Sequence, residues 1–73
     1  MAKKKLITLA KELDFTTETE YFDYMIDTHI NGQFTQCRNL FNEMKLVDQK
    51  RLISYISTYS KLHDVYVFYF DLL

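Results

Sequence analysis

The stretch from Asp48 to Leu73 limits most strongly what this chain can fold into. Leu52, Ile56, Tyr59, His63, Tyr66, Phe70 and Leu73 recur at alternating steps of four and three. On a helix of 3.6 residues per turn these positions share one face. A second apolar set, Tyr55, Leu62, Val65, Tyr69 and Leu72, lies beside the first. Past Lys61 the run is therefore apolar nearly all the way round. A helix of that kind has to be covered, either by the rest of the chain or by a second molecule.

The rest of the chain offers limited cover. At 73 residues there is room for one domain. A core of this size contributes about 3–5 kcal/mol net, so it needs staples, a partner or dense apolar packing. Cys37 is the single cysteine, which excludes an internal disulfide and fits a reducing compartment. Apolar residues make up 48% of the chain, with six phenylalanines and six tyrosines, a composition that suits dense packing and also protein interfaces. Nine basic residues against ten acidic ones is not the balance of a dedicated nucleic-acid binder.

Three of the cations, Lys3, Lys4 and Lys5, stand together before Leu6-Ile7-Thr8-Leu9-Ala10 and imitate the start of a secretory signal. The apolar run stops at Lys11-Glu12, short of the roughly 7–15 residues such a signal needs. The longest uncharged apolar run, Val65 to Phe70, is far below the ~20 residues of a membrane span. A cytoplasmic protein is the expectation.

With no proline and one glycine, helix is the default and caps set the boundaries. Leu6, Leu9 or Ala10, and Leu13 mark a first short helix, with the three lysines badly placed at its positive end and so expected to fray or engage elsewhere. Thr17 and Glu20 have capping-box spacing, and Phe22, Met25 or Ile26, and His29 or Ile30 form the apolar face of a second helix. That helix runs to about Asn31, with Gly32 as its left-handed cap. Phe34, Cys37, Leu40 or Phe41, and Met44 define a third helix, and Asp48 is a good N-cap for a long fourth one. Val65 to Phe70 has the composition of a buried strand, yet a lone strand has nothing to pair with here, so helix is preferred. The expected fold is all-α, a small bundle of three short helices and one long C-terminal helix, in a single domain spanning residues 1–73.

Chemistry finds little purchase. His29, Cys37 and His63 match no zinc spacing, and one glycine rules out a phosphate-binding loop or a nucleophile elbow. Cys37 lies on an apolar stripe, where a free cysteine acts as a small hydrophobe. No cofactor, metal or catalytic residue is expected, and the chain reads as a non-enzyme. Glu20, Asp23 and Asp27 form an acidic stripe, read first as a solvated face. The helix, glycine turn and helix across residues 21–45 also permit a helix-turn-helix-like DNA-binding regulator using Arg38 and the amides of the third helix. The weak positive charge and a register departing from that motif argue against it.

Glu20-Tyr21-Phe22-Asp23-Tyr24, Ile30-Asn31-Gly32-Gln33, Phe41-Asn42-Glu43-Met44 and Leu52-Ile53-Ser54-Tyr55 resemble segments of small accessory proteins of bacteriophages and mobile elements. The resemblance covers about the middle half of the chain and carries no assigned sites. It implies a protein that acts in the host cytoplasm by binding a host or phage protein. The expected function is thus protein binding by a small regulatory or accessory protein that self-associates, as a homodimer, through its C-terminal helix. In this reading the Leu52–Phe70 face is core and the second face, Tyr55, Leu62, Val65, Tyr69 and Leu72, is the contact surface.

Overall fold

A computed structural model describes residues 3–73. It contains five α-helices: α1 (Leu6–Glu12), α2 (Glu18–Ile30), α3 (Phe34–Asn42), α4 (Leu46–Ser57) and α5 (His63–Leu72), with a 3-10 turn at Ser60–Leu62 before α5. The all-α class is as expected. The long fourth helix is not present, because the Asp48–Leu73 run is cut into two.

The cut has a local cause. Ser57 Oγ donates to Ser54 O at 2.7 Å and Thr58 Oγ1 donates to Tyr55 O at 2.7 Å, so hydroxyls compete for the carbonyls of the last turn. The backbone tightens there: Thr58 N–H bonds Tyr55 O and Tyr59 N–H bonds Ile56 O. Tyr59 then leaves in an extended conformation, φ −111° and ψ 104°. There is a global reason as well. One helix over the whole run would be about 39 Å long at 1.5 Å per residue, whereas the molecule measures 28 Å along its longest axis. Folding back lets α5 pack on α4, α2 and α3, and Val65–Phe70 is helical.

The upstream caps follow the residues. Thr17 Oγ1 accepts from Glu20 N–H at 3.3 Å, while the Glu20 carboxylate takes the hydroxyls of Thr16 and Thr17 at 2.6 and 3.2 Å. Those bonds, the Thr16 hydroxyl first, hold the Glu20 carboxyl below its ordinary pKa. At the other end of α2, Gly32 sits at φ +77°. Its N–H bonds His29 O at 2.9 Å and the Gln33 N–H bonds Thr28 O at 3.1 Å, the two closing bonds of a Schellman motif. α1 ends the same way around Asp14, at φ 62°, with Asp14 N–H on Lys11 O and Phe15 N–H on Ala10 O.

Asp48 does something other than cap its own helix. α4 begins at Leu46 behind Lys45, and Asp48 lies inside the first turn. Its Oδ2 accepts the Leu6 N–H at 3.2 Å, capping α1 from 42 residues away. Its Oδ1 holds Arg51 at 3.1 Å, and Arg51 reaches Glu18 at the start of α2 at 2.8 Å. That guanidinium lowers the pKa of the Glu18 carboxyl. One carboxylate thus ties α1, α4 and α2 together. Of the lysines before α1, Lys4 is engaged: its N–H bonds Glu43 O at 3.0 Å and its ammonium pairs with Glu12 at 3.0 Å. The third helix stops at Asn42, short of Met44, which is nevertheless fully buried beside Lys4. Gln49 Nε2 donates to Phe41 O at 2.7 Å and satisfies the end of α3.

The core gathers Leu6, Leu9, Ala10, Tyr21, Phe22, Met25, Cys37, Phe41, Met44, Leu52, Ile56, Val65 and Tyr69 among others. Asp48→Ala should lower stability by about 1–2 kcal/mol, as loss of a helix cap does, in urea unfolding. A Cβ on Gly32 would meet nothing within 4 Å, so Gly32→Ala should cost about 1 kcal/mol from the left-handed backbone alone. Asp14→Gly should move the midpoint the other way, by about 0.5 kcal/mol.

Candidate protein-interaction surface

The rotation of α5 decides what the molecule shows. Val65 and Tyr69 point inward and are buried. The Tyr69 ring stacks on Phe41 at 5.5 Å and its hydroxyl donates to Met25 O at 2.8 Å. Burial raises the pKa of that phenol. Leu62, Leu72 and Tyr55 lie at the core's edge, half-buried against it. The Tyr55 hydroxyl donates to Asp23 of the acidic stripe at 2.8 Å.

The expected division of faces is therefore reversed beyond the break. Leu52 and Ile56 are core as expected, but Tyr59, Phe70 and Leu73 are exposed. Two of the five expected contact residues, Val65 and Tyr69, are enclosed by this chain, and the other three are partly covered by it. The physical reason is the turn at Thr58–Ser60, which resets the helical phase, so positions continuous with Leu52 and Ile56 in sequence no longer share their side.

What faces outward is aromatic and aliphatic. His63, Tyr66 and Phe70 form a ladder of near-parallel rings along α5, with centroids 6.4 and 5.7 Å apart. Val67 is 41% exposed and Phe70 53%. On the other flank a groove opens between α5 and the α2–α3 corner, lined by His29, Phe34, Arg38, Asp64, Val67, Phe68 and Asp71. His29 meets Phe34 and Phe68 edge-on at 5.1 and 4.9 Å. The Arg38 guanidinium lies over the Phe68 ring at 5.6 Å, within reach of a cation–π attraction. Desolvation against these rings lowers the His29 pKa, with the Asp64 charge pulling it the opposite way.

The chemistry-bearing residues are dispersed. Cys37 is buried in the core, His29 lines the groove, and His63 stands at the start of α5. Among the described residues no group of three His, Cys, Asp or Glu side chains comes together to hold a metal. The Tyr21 hydroxyl is buried without a hydrogen-bond partner, and burial raises its pKa. Among the described residues no helix is long and apolar enough to cross a membrane. No protein-family model, curated protein sequence or solved structure matches this chain.

The groove is not visible in the sequence: Phe34 stands on the stripe of the third helix, while Phe68 belongs to neither apolar face of the C-terminal run. The signal that would have found it is the Ser57-Thr58-Tyr59-Ser60 cluster, a turn signature in the middle of an assumed helix.

The two tyrosines of α5, Tyr69 enclosed and Tyr66 half-buried at the core's edge, should behave differently. Tyr69→Ala should cost about 3–5 kcal/mol, the range for emptying a buried aromatic site, and Tyr66→Ala clearly less, in urea denaturation. A pH effect follows from His29. Its pKa is lower folded than its ordinary 6.5, so the unfolded chain binds more protons between the two values. Stability should fall as pH drops through the ordinary histidine value and below it, down to the lowered folded one. His29→Phe should flatten that slope.

Proposed function

We propose that this chain is a small non-catalytic protein-binding protein, regulatory or accessory in role, that self-associates through the outer face of α5. The observation that carries this reading is the outward surface of α5 itself. Val67 and Phe70 are exposed on it and Phe68 joins it to Phe34, 44% exposed across the groove. Contiguous apolar surface of that kind marks interaction sites in chains that otherwise close their cores. Aromatic residues dominate it, as they dominate binding hot spots. The non-catalytic part is supported by how the reactive side chains are used: Cys37 and the Tyr21 and Tyr69 hydroxyls are enclosed in the packed interior. The sequence resemblance to phage accessory proteins favours a host or phage protein as the further partner, met in the host cytoplasm.

A second reading keeps one observation in its favour. After the Gly32 turn, α3 exposes Thr35, Gln36, Arg38, Asn39 and Asn42, side chains able to reach base edges. Arg38 is the single cation of that set and lies over Phe68, so a DNA-binding role has the weaker support. Such binding would fall steeply with added salt.

Light scattering on a sizing column tests the leading reading. The wild-type chain should associate at high micromolar concentration, and Phe70→Asp should return it to monomer with its thermal midpoint preserved. A wild-type chain that stays monomeric would remove self-association from the proposal.

A further inference from the structure

The start of α4 shows solvent its apolar residues and hides its acid. Leu46 is 55% exposed and Val47 63%, while Asp48 turns inward onto the Leu6 N–H. Lys50 lies one turn further on, four residues after Leu46 and three after Val47, so the three share one face of the helix. Ser54 and Ser57 continue that face without a charge.

The beginning of the chain adds to it. Lys4 and Met44 form a parallel bridge, with the Lys4 N–H on Glu43 O, and the Leu6 N–H meets Asp48 two residues later. Those anchors lay Lys5 beside Lys45, each the residue immediately before its helix. In an extended pair alternate residues face opposite sides. Met44 enters the core and the Lys4 ammonium goes to Glu12, which leaves Lys3, Lys5 and Lys45 exposed on the outer side with Glu43. Among the described residues none of Lys3, Lys5, Lys45 and Lys50 has an ion-pair partner. The neighbouring carboxylates of Glu12, Glu18 and Asp48 are held by Lys4 and Arg51.

Clustered ammonium groups draw a surface of opposite charge, each lysine raising partition onto an anionic bilayer about fivefold. A phosphate backbone alone would use the lysines and leave Leu46 and Val47 without a role. Aliphatic side chains set among lysines are what an interfacial membrane site buries. We propose that the start of α4, with the Lys3–Lys5 segment beside it, is a peripheral docking site for an anionic phospholipid surface. Leu46 and Val47 enter the headgroup region, and the four lysines meet phosphates around them. This contact needs no membrane-spanning helix and does not depend on α5.

The full chain would be sedimented with vesicles of phosphatidylglycerol and phosphatidylcholine in equal parts, and with phosphatidylcholine vesicles as the neutral comparison. Binding should be confined to the anionic vesicles and fall steeply between about 0.05 M and about 0.5 M salt. Lys45→Glu together with Lys50→Glu should weaken it by about 25-fold or more, the product of two lysines, with the helical circular dichroism preserved. The chain has no tryptophan, so Val47→Trp reports insertion. Its emission should shift to the blue on anionic vesicles, while that of Val67→Trp on α5 should stay in place. Absence of sedimentation with anionic vesicles overturns the proposal, and so does binding that the folded lysine variant retains in full. Binding in which Val47→Trp shifts no more than Val67→Trp places the contact elsewhere and overturns it as well. Retention of a random DNA duplex, lost in the lysine variant and without any vesicle binding, assigns the face to nucleic acid instead.

Discussion

The hydrogen bond from the Tyr69 hydroxyl to the Met25 carbonyl fixes the rotation of α5, and the outward face depends on that rotation. Leaving a buried tyrosine hydroxyl unpaired costs roughly 1–3 kcal/mol, a cost that the Tyr21 hydroxyl bears and the Tyr69 hydroxyl avoids. Avoiding it against α2, with the ring stacked on Phe41 of α3, pins α5 about its own axis. Once Tyr69 and Val65 point in, helical geometry turns Val67 and Phe70 out. The exposed apolar face of α5 is thus a by-product of satisfying one buried oxygen.

Much of the local structure was legible in the residues because local chemistry decides it. Thr17 begins α2 and Gly32 follows its end, where a hydroxyl acceptor and a left-handed residue are needed. Val65–Phe70 is helical although its composition favours a strand, since among the described residues no neighbouring strand exists to take its backbone groups. Propensity yielded there to the accounting of hydrogen bonds.

What was not legible depended on contacts distant in sequence or on weak local competition. The period of four and three from Leu52 to His63 held numerically, but Tyr59 and His63 are amphipathic and need not be covered, so the match did not require a continuous helix. Two hydroxyls bonding back to Ser54 and Tyr55 were enough to end it. Asp48 looked like the cap of its own helix, and nothing nearby in sequence indicated that it would serve Leu6 instead. The groove shared the same obscurity, because Phe34 and Phe68 become neighbours only after the chain has turned back at Thr58.

The capping of α1 by Asp48 also bears on how the parts of the fold support one another. α1 spans seven residues, has no side-chain cap of its own and carries Lys5 where a positive charge opposes its dipole. An isolated helix of that length does not persist in water. Its stabilising carboxylate stands on α4. The α2–α3 corner, closed by its own glycine and by neighbouring residues, needs no such distant partner. The first helix in the sequence therefore depends for its cap on a residue 42 positions away, so its stability is tied to that of α4.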